Sequence, residues 1–98
     1  MTIEKELTTV KESVVESQDT NQGHVAQLIV HNDDINTFDW VIECLMTICK
    51  HSHQQAEQLS LIIHFKGKAT VKTAPLKMLK PLKDTLIDKG LSVTIETF

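Results

Sequence analysis

Residues 25–31, VAQLIVH, make a short apolar, β-branched run that stops at Asn32-Asp33-Asp34. A few residues later an apolar stripe begins at a different period: Phe38, Val41, Ile42, Leu45, Ile48 and Cys49 recur at helical spacing. A continuous apolar run bounded by Gly23 and Asn32 reads as a buried strand. The stripe reads as a helix over residues 38–50, with Asn36 or Thr37 as its N-cap and Asp39 at the positive end of its dipole. Trp40 lies off the stripe. This strand–turn–helix junction gives the chain two elements that each have one face to bury.

The remaining elements follow by the same reading. Ser52 caps a short helix over 53–59, and SLIIHF, residues 60–65, reads as a second strand. A turn at 66–68 leads to an extended stretch at 69–72. Ala74-Pro75-Leu76 opens a third helix, because a proline in the first turn lacks only a donor that is unpaired anyway. Leu76, Leu79, Leu82 and Leu86 form its stripe, and Pro81 predicts a kink or a later start. Gly90 is the expected stop, and LSVTIE, residues 91–96, alternates as a strand. The order β, α, α, β, α, β places the chain in the α+β class, with helices packed on one face of the sheet.

Residues 1–24 differ in composition. Glu, Gln, Thr and Ser dominate, and Ile3, Leu7, Val10 and Val14 make a thin helical stripe of poor helix formers. The segment ends in Gln18-Asp19-Thr20-Asn21-Gln22-Gly23 and reads as a flexible extension that becomes helical only against a partner, or as an inert tail. Residues 25–98 then form one domain. With 98 residues there is room for a single modest core and little for an elaborate catalytic pocket.

Charge excludes further classes. The formal net charge is −3 and all ten basic residues are Lys, so nucleic-acid binding by bulk charge or by guanidinium forks is not expected. Through Glu57 there are three Lys against ten acids, and from Gln58 seven Lys against three. The Lys-rich stretch 66–89 lacks interleaved aromatics and reads as a solvated face. No apolar run approaches membrane-spanning length and residues 1–11 lack a signal-peptide core, so a cytoplasmic location is expected. Cys44 and Cys49, five apart, read as free buried thiols on different faces of one helix.

Few residues carry chemistry. Asn32-Asp33-Asp34 concentrates two carboxylates and an amide at a strand end, although Asn and Asp are also ordinary turn residues. His64, inside the expected strand 60–65, is either a satisfied core histidine or an acceptor for a ligand. His51-Ser52-His53 resembles a metal pair, but spacing supplies no third ligand. No phosphate-cradling glycine loop, catalytic triad spacing or zinc-hydrolase motif is present, and no metal or cofactor is expected.

VHNDDINTFDWVIECL, followed by AEQLSLIIHFKGKA, resembles the ClpS adaptors of the N-degron pathway. Asn-Asp-Asp after a strand, together with His-x-x-Gly-Lys-Ala further on, carries the resemblance over residues 25–96. It implies a three-stranded antiparallel sheet packed with three helices and a non-enzymatic function. Such adaptors bind the N-terminal residue of a substrate and deliver it to a Clp-family AAA+ unfoldase, of ClpA or ClpC type, paired with ClpP. The family's α-amino contacts correspond to Asn32, Asp33 and His64, and its hydrophobic pocket to Asn36, Phe38, Val41, Ser60, Ile63 and Leu91. The chemistry agrees: an α-ammonium offers three donors and one charge, met by a carboxylate and two neutral acceptors. Each charge-assisted hydrogen bond of this kind contributes on the order of 1.5–3 kcal/mol.

The chain departs from the family at the pocket. The usual Thr-Pro-Met reads Asn36-Thr37-Phe38, and Ser60 replaces a commonly larger apolar residue. The alternative is a regulator or inhibitor of a Clp unfoldase that lacks N-degron recognition. A small hydrolase built on His64 and Asp33 is the weakest reading, since no nucleophile is placed beside them. Family members mostly act as monomers, and a monomer is expected.

Overall fold

The computed structural model describes residues 23–98, in the order β1 (Val25–His31), α1 (Phe38–Thr47), α2 (His53–Lys66), β2 (Lys68–Pro75), α3 (Leu76–Asp88) and β3 (Ser92–Thr97). β1 is the central strand, antiparallel to β2 on one side and to β3 on the other. The α+β class, the three-stranded antiparallel sheet and the three helices are as expected. The extension expected over residues 1–24 lies, up to residue 22, outside the described residues. His24 is tied to the domain: its carbonyl accepts the Leu76 N–H at 2.8 Å, satisfying a donor at the start of α3 that no side chain caps.

The core forms on one face of the sheet. Ala26, Leu28 and Val30 alternate along β1 and meet Ile42 and Leu45 of α1, Ala56, Leu59 and Ile63 of α2, and Leu79 and Leu86 of α3. Leu28, Leu45, Leu79 and Leu86 are fully buried. Each contributes about 1.5–3 kcal/mol by burial, and truncating Leu45 to Ala would cost about 2–5 kcal/mol. The opposite face is mostly polar around the buried Ile29, with Thr70 Oγ1 donating to Gln27 Oε1 at 2.9 Å and the His31 ring 2.8 Å from Thr94 Oγ1.

The register of β2 against β1 skips one residue. Leu28 faces Lys72 and Ile29 faces Thr70, so Val71 is the extra residue of a bulge. Its carbonyl lies 2.6 Å from His51 Nε2, which must be the donor because a carbonyl only accepts. Ser52 N-caps α2, accepting from Gln55 N at 3.1 Å. Two residues of the His51-Ser52-His53 run thus have structural roles, and one of them, His51, belongs to the apparent metal pair.

One expected element is overturned. Residues 60–65 are not a strand; they are the second half of α2, which runs without a break from His53 to Lys66. The run SLIIHF is continuous and apolar, a pattern that does not separate a buried strand from a helix. The deciding period is longer: Ala56, Leu59, Ser60 and Ile63 are buried while Leu61, Ile62 and His64 are exposed. The true stop is Gly67, in the left-handed region at φ 94°, with its N–H on the Ile63 carbonyl. Helix α1 is shorter than expected, ending at Thr47, so Cys49 lies beyond it. Both cysteines are free and buried, and burial pushes both thiols up. Helix α3 absorbs Pro81 and starts at Leu76, not later.

Candidate functional site

The segment 32–37 joins β1 to α1, and the ends of the other two helices hold it in place. On one side Asn32 N–H donates to the carbonyl of Gly67, the residue that stops α2. On the other, Asn36 Nδ2 donates to the carbonyl of Gly90 at 2.8 Å. Gly90 follows α3 at φ 95°, in a Schellman arrangement: Gly90 N donates to Ile87 O and Leu91 N to Leu86 O. A side chain at this φ would be strained, so glycine here fixes where the carbonyl points. Thr37 begins α1 by accepting from Trp40 N at 3.1 Å. Trp40, off the helical stripe, donates through Nε1 to Lys89 O at 3.0 Å and pins α1 to the end of α3.

Asp33 is the hub of this segment. Its Oδ1 accepts from the backbone N–H groups of Ile35 and Asn36, at 3.0 and 2.9 Å. Asn36 Nδ2 reaches both carboxylate oxygens, at 3.1 and 2.9 Å, and Ser92 Oγ approaches Oδ2 at 3.3 Å. These donors, the Asn36 backbone N–H foremost, hold the Asp33 carboxyl below its ordinary value of 3.8 against the upward push of partial burial. The carboxylate is therefore ionised at neutral pH. The Ser92 hydroxyl, its longest contact, is the one an incoming cation would most readily join or displace.

Asn32, Asp33, Asn36, Phe38, Val41, Ser60, Ile63 and His64 line one cavity of about 220 Å³. The ninth expected residue, Leu91, lines a narrow recess adjoining it, with Asn32, Asp33, Asn36, Val41 and Ile63. Leu91 reaches this place because the α3 stop directs the chain back at Gly90. A volume this size is below that of a drug-sized ligand site and suits one large side chain.

The two walls differ in chemistry. The loop supplies Asn32, Asp33, Asp34, Asn36 and Thr37, and Phe38 and Val41 follow on α1. Helix α2 supplies Ser60, Ile63 and His64. Ser60 and His64 are one turn apart, so they share a face although His64 is exposed and Ser60 is only 2% exposed. The His64 ring packs edge-on against Phe65, centroids 4.9 Å apart, and makes no hydrogen bond among the described residues. Such a set can hold a cation through Asp33 and neutral acceptors while enclosing an apolar body between Phe38, Val41 and Ile63.

Two further lining residues lie outside the nine expected: Asp34, the second carboxylate of the Asn32-Asp33-Asp34 cluster, and Thr37, expected as a helix cap. Gly67, Gly90 and Ser92 act behind the lining; the sequence marks Gly67 as a turn residue and Gly90 as a helix stop, and carries no signal for Ser92. Among the described residues no group of three His, Cys, Asp or Glu side chains is placed to hold a metal ion, and no helix is long and apolar enough to cross a membrane.

Residues 21–94 match the family described as ATP-dependent Clp protease adaptor protein ClpS. The ATP-dependent Clp protease adapter protein ClpS of Shewanella pealeana is 41% identical over 59 residues, covering 60% of this chain and 56% of that protein. The protein of the same name from Thermosynechococcus vestitus is 34% identical over 68 residues, covering 68% of this chain and 72% of its own length. The chain thus spans little more than half the length of the first of these relatives. Among solved structures, Agrobacterium tumefaciens ClpS2 bound to L-phenylalaninamide has the same fold, with a TM-score of 0.74, 18% identity, and coverage of 78% of this chain and 99% of that one. With its family match running from residue 21 to residue 94, this chain belongs to the ClpS family.

Proposed function

We propose that this chain is an N-degron adaptor: it binds the α-amino group and bulky hydrophobic side chain of a substrate's N-terminal residue and delivers the substrate to a Clp AAA+ unfoldase, of ClpA or ClpC type, with ClpP. The observation that carries this reading is the meeting of Asn32, Asp33 and His64 with Phe38, Val41 and Ile63 in one side-chain-sized cavity. A cation with an apolar body is the ligand these groups complement. L-Phenylalaninamide, bound by the Agrobacterium relative, has that composition: a free α-amine beside a benzyl group.

On this reading Asn32, Asp33 and His64 receive the α-ammonium, and Asn36, Phe38, Val41, Ser60, Ile63 and Leu91 surround the side chain. Burying a Leu or Phe side chain there contributes about 1.5–3 kcal/mol. The chain acts as a cytoplasmic monomer, without a cofactor and without catalysis of its own. The N-terminal extension expected over residues 1–24 engages the unfoldase, and residues 25–98 serve as the recognition domain.

The test is a titration of fluorescent peptides that differ only in the first residue, each with a free and an acetylated N-terminus. Binding restricted to bulky hydrophobic first residues with a free amine supports the reading. Binding that survives acetylation sinks it, and absence of binding beside measurable association with an unfoldase points to a regulator instead. Deleting residues 2–20 is expected to leave peptide binding intact and to abolish degradation of an N-degron reporter.

A further inference from the structure

Among the described residues Ser60 is the one polar residue in the buried core, 2% exposed, and its Oγ has no hydrogen-bond partner there. A buried helical serine can bond the carbonyl four residues back, and this one does not. A buried hydroxyl without a partner is unfavourable, and its persistence in a cavity wall asks for a ligand atom that satisfies it.

The position of Ser60 says which part of a ligand that would be. His64 is exposed at the mouth of the cavity, and Ser60 precedes it by one helical turn, about 6 Å along α2, on the same face. Going from His64 to Ser60 is going from the mouth to the inner end, with Ile63 and Val41 flanking the path. A first residue anchored by its α-ammonium at Asn32, Asp33 and His64, and laid along α2, brings the tip of its ring toward Ser60. That spacing is comparable with the reach of a tyrosine side chain from its own Cα. A phenol hydroxyl both donates and accepts, as does a serine hydroxyl, so a rotation about Ser60 χ1 lets the two complete each other. A phenylalanine ring of the same shape leaves Ser60 unpaired.

We propose that Ser60 is a specificity-determining residue that makes the pocket prefer a first residue with a hydrogen-bonding ring tip, tyrosine, over phenylalanine. This rests on the N-terminal-residue reading of the same site. One net hydrogen bond predicts that a Tyr-first peptide binds about three- to tenfold more tightly than its Phe-first twin.

The experiment uses the full 98-residue chain and three fluorescent peptides, Phe-first, Tyr-first and N-acetylated Tyr-first, read by anisotropy. Ser60→Ala should remove the Tyr advantage, the ratio of Tyr-first to Phe-first affinity within the same variant falling to about one. Ser60→Cys, close in size but weak in hydrogen bonding, should do the same, and circular dichroism reports whether each variant is folded. Phe binding as tightly as Tyr to the unaltered chain overturns the proposal, as does a Tyr advantage that survives in both folded variants. Either result leaves amine recognition standing. Failure of both free-amine peptides to bind, or equal binding of the acetylated one, instead overturns the site reading and this proposal with it.

Discussion

The two walls of the cavity are built on opposite plans. On the loop wall the central groups are already engaged: Asp33 accepts from Ile35, Asn36 and Ser92, and Asn36 is further tied to Gly90, while the flanking Asn32 and Asp34 side chains make no hydrogen bond among the described residues. On the helix wall they are not: Ser60 Oγ has no partner and His64 makes no hydrogen bond among the described residues. A charge that must stay ionised and in place is best held by many fixed donors, since reorganising them on binding would cost affinity. An acceptor that must adapt to a ligand is better left open on a rigid helix. Fixed charge on one wall and open capacity on the other is a division of labour between anchoring an ammonium and reading the side chain beside it.

The largest effect is expected where the charge is removed. Asp33→Asn keeps one oxygen for the backbone donors of Ile35 and Asn36, but deletes the negative charge nearest the proposed ammonium and puts an amide donor where Oδ2 accepted from Asn36 and Ser92. The loss of one charge-assisted hydrogen bond, about 1.5–3 kcal/mol, predicts a fall in peptide affinity of about ten- to a hundredfold. The variant should also bind free-amine and acetylated peptides with nearly equal weakness. A variant that still distinguishes them as the unaltered chain does would show that Asp33 is a loop brace only.

Cutting the brace while keeping the charge sharpens the comparison. Asn36→Ala removes the amide contacts to Asp33 and Gly90 but leaves the backbone N–H that contributes most to holding the Asp33 carboxyl low. Asp33 therefore stays ionised at neutral pH. The expected cost is about 1–2 kcal/mol, a melting temperature lower by about 4–8 °C per kcal/mol, with a smaller loss of affinity than Asp33→Asn. Equal losses from the two variants would mean that position matters as much as charge.

Acid probes the loop wall through Asp33. Because the Asp33 carboxyl lies below its ordinary value of 3.8, its stabilising contribution is complete above that pH and is lost only as pH falls through the lower folded value. His64, in contrast, is proposed to act as an open acceptor, and its removal is the cleaner probe of the helix wall. His64→Gln keeps a neutral acceptor but removes the ring, and should weaken binding of free-amine peptides about three- to tenfold at neutral pH. Unchanged affinity in the variant would show that the His64 ring contributes nothing to amine recognition.

The loop wall was more legible in the sequence than the helix wall, for a physical reason. Turn, cap and stop residues act through local backbone geometry, so Asn32-Asp33-Asp34, Thr37 and Gly90 could be placed from their neighbours alone. Residues 60–65 were misplaced because a short apolar run has no period of its own, and the four-residue spacing of Ala56, Ser60 and His64 shows only across the full length of α2. The site residues were nevertheless named together, because the family resemblance carried His64 and Ser60 to the same pocket whichever element bore them. The Ser60 hydroxyl's lack of a partner was not legible at all; it depends on what surrounds that atom in three dimensions.

That hydroxyl gives the smallest and most diagnostic prediction. If Ser60 Oγ is truly unpaired in the unliganded protein, Ser60→Ala removes a buried polar group that contributes nothing to the fold and replaces it with a better helix former. Stability should rise by about 0.5–1 kcal/mol, a melting temperature higher by a few degrees in a thermal scan without peptide. Most buried substitutions lower stability, so an increase here would be hard to attribute to anything but relief of the unpaired hydroxyl. A decrease would mean that the fold itself satisfies the hydroxyl, leaving it nothing to offer a ligand. If the variant is both more stable and less able to tell tyrosine from phenylalanine, the helix wall keeps a small internal cost as the means of recognising its ligand.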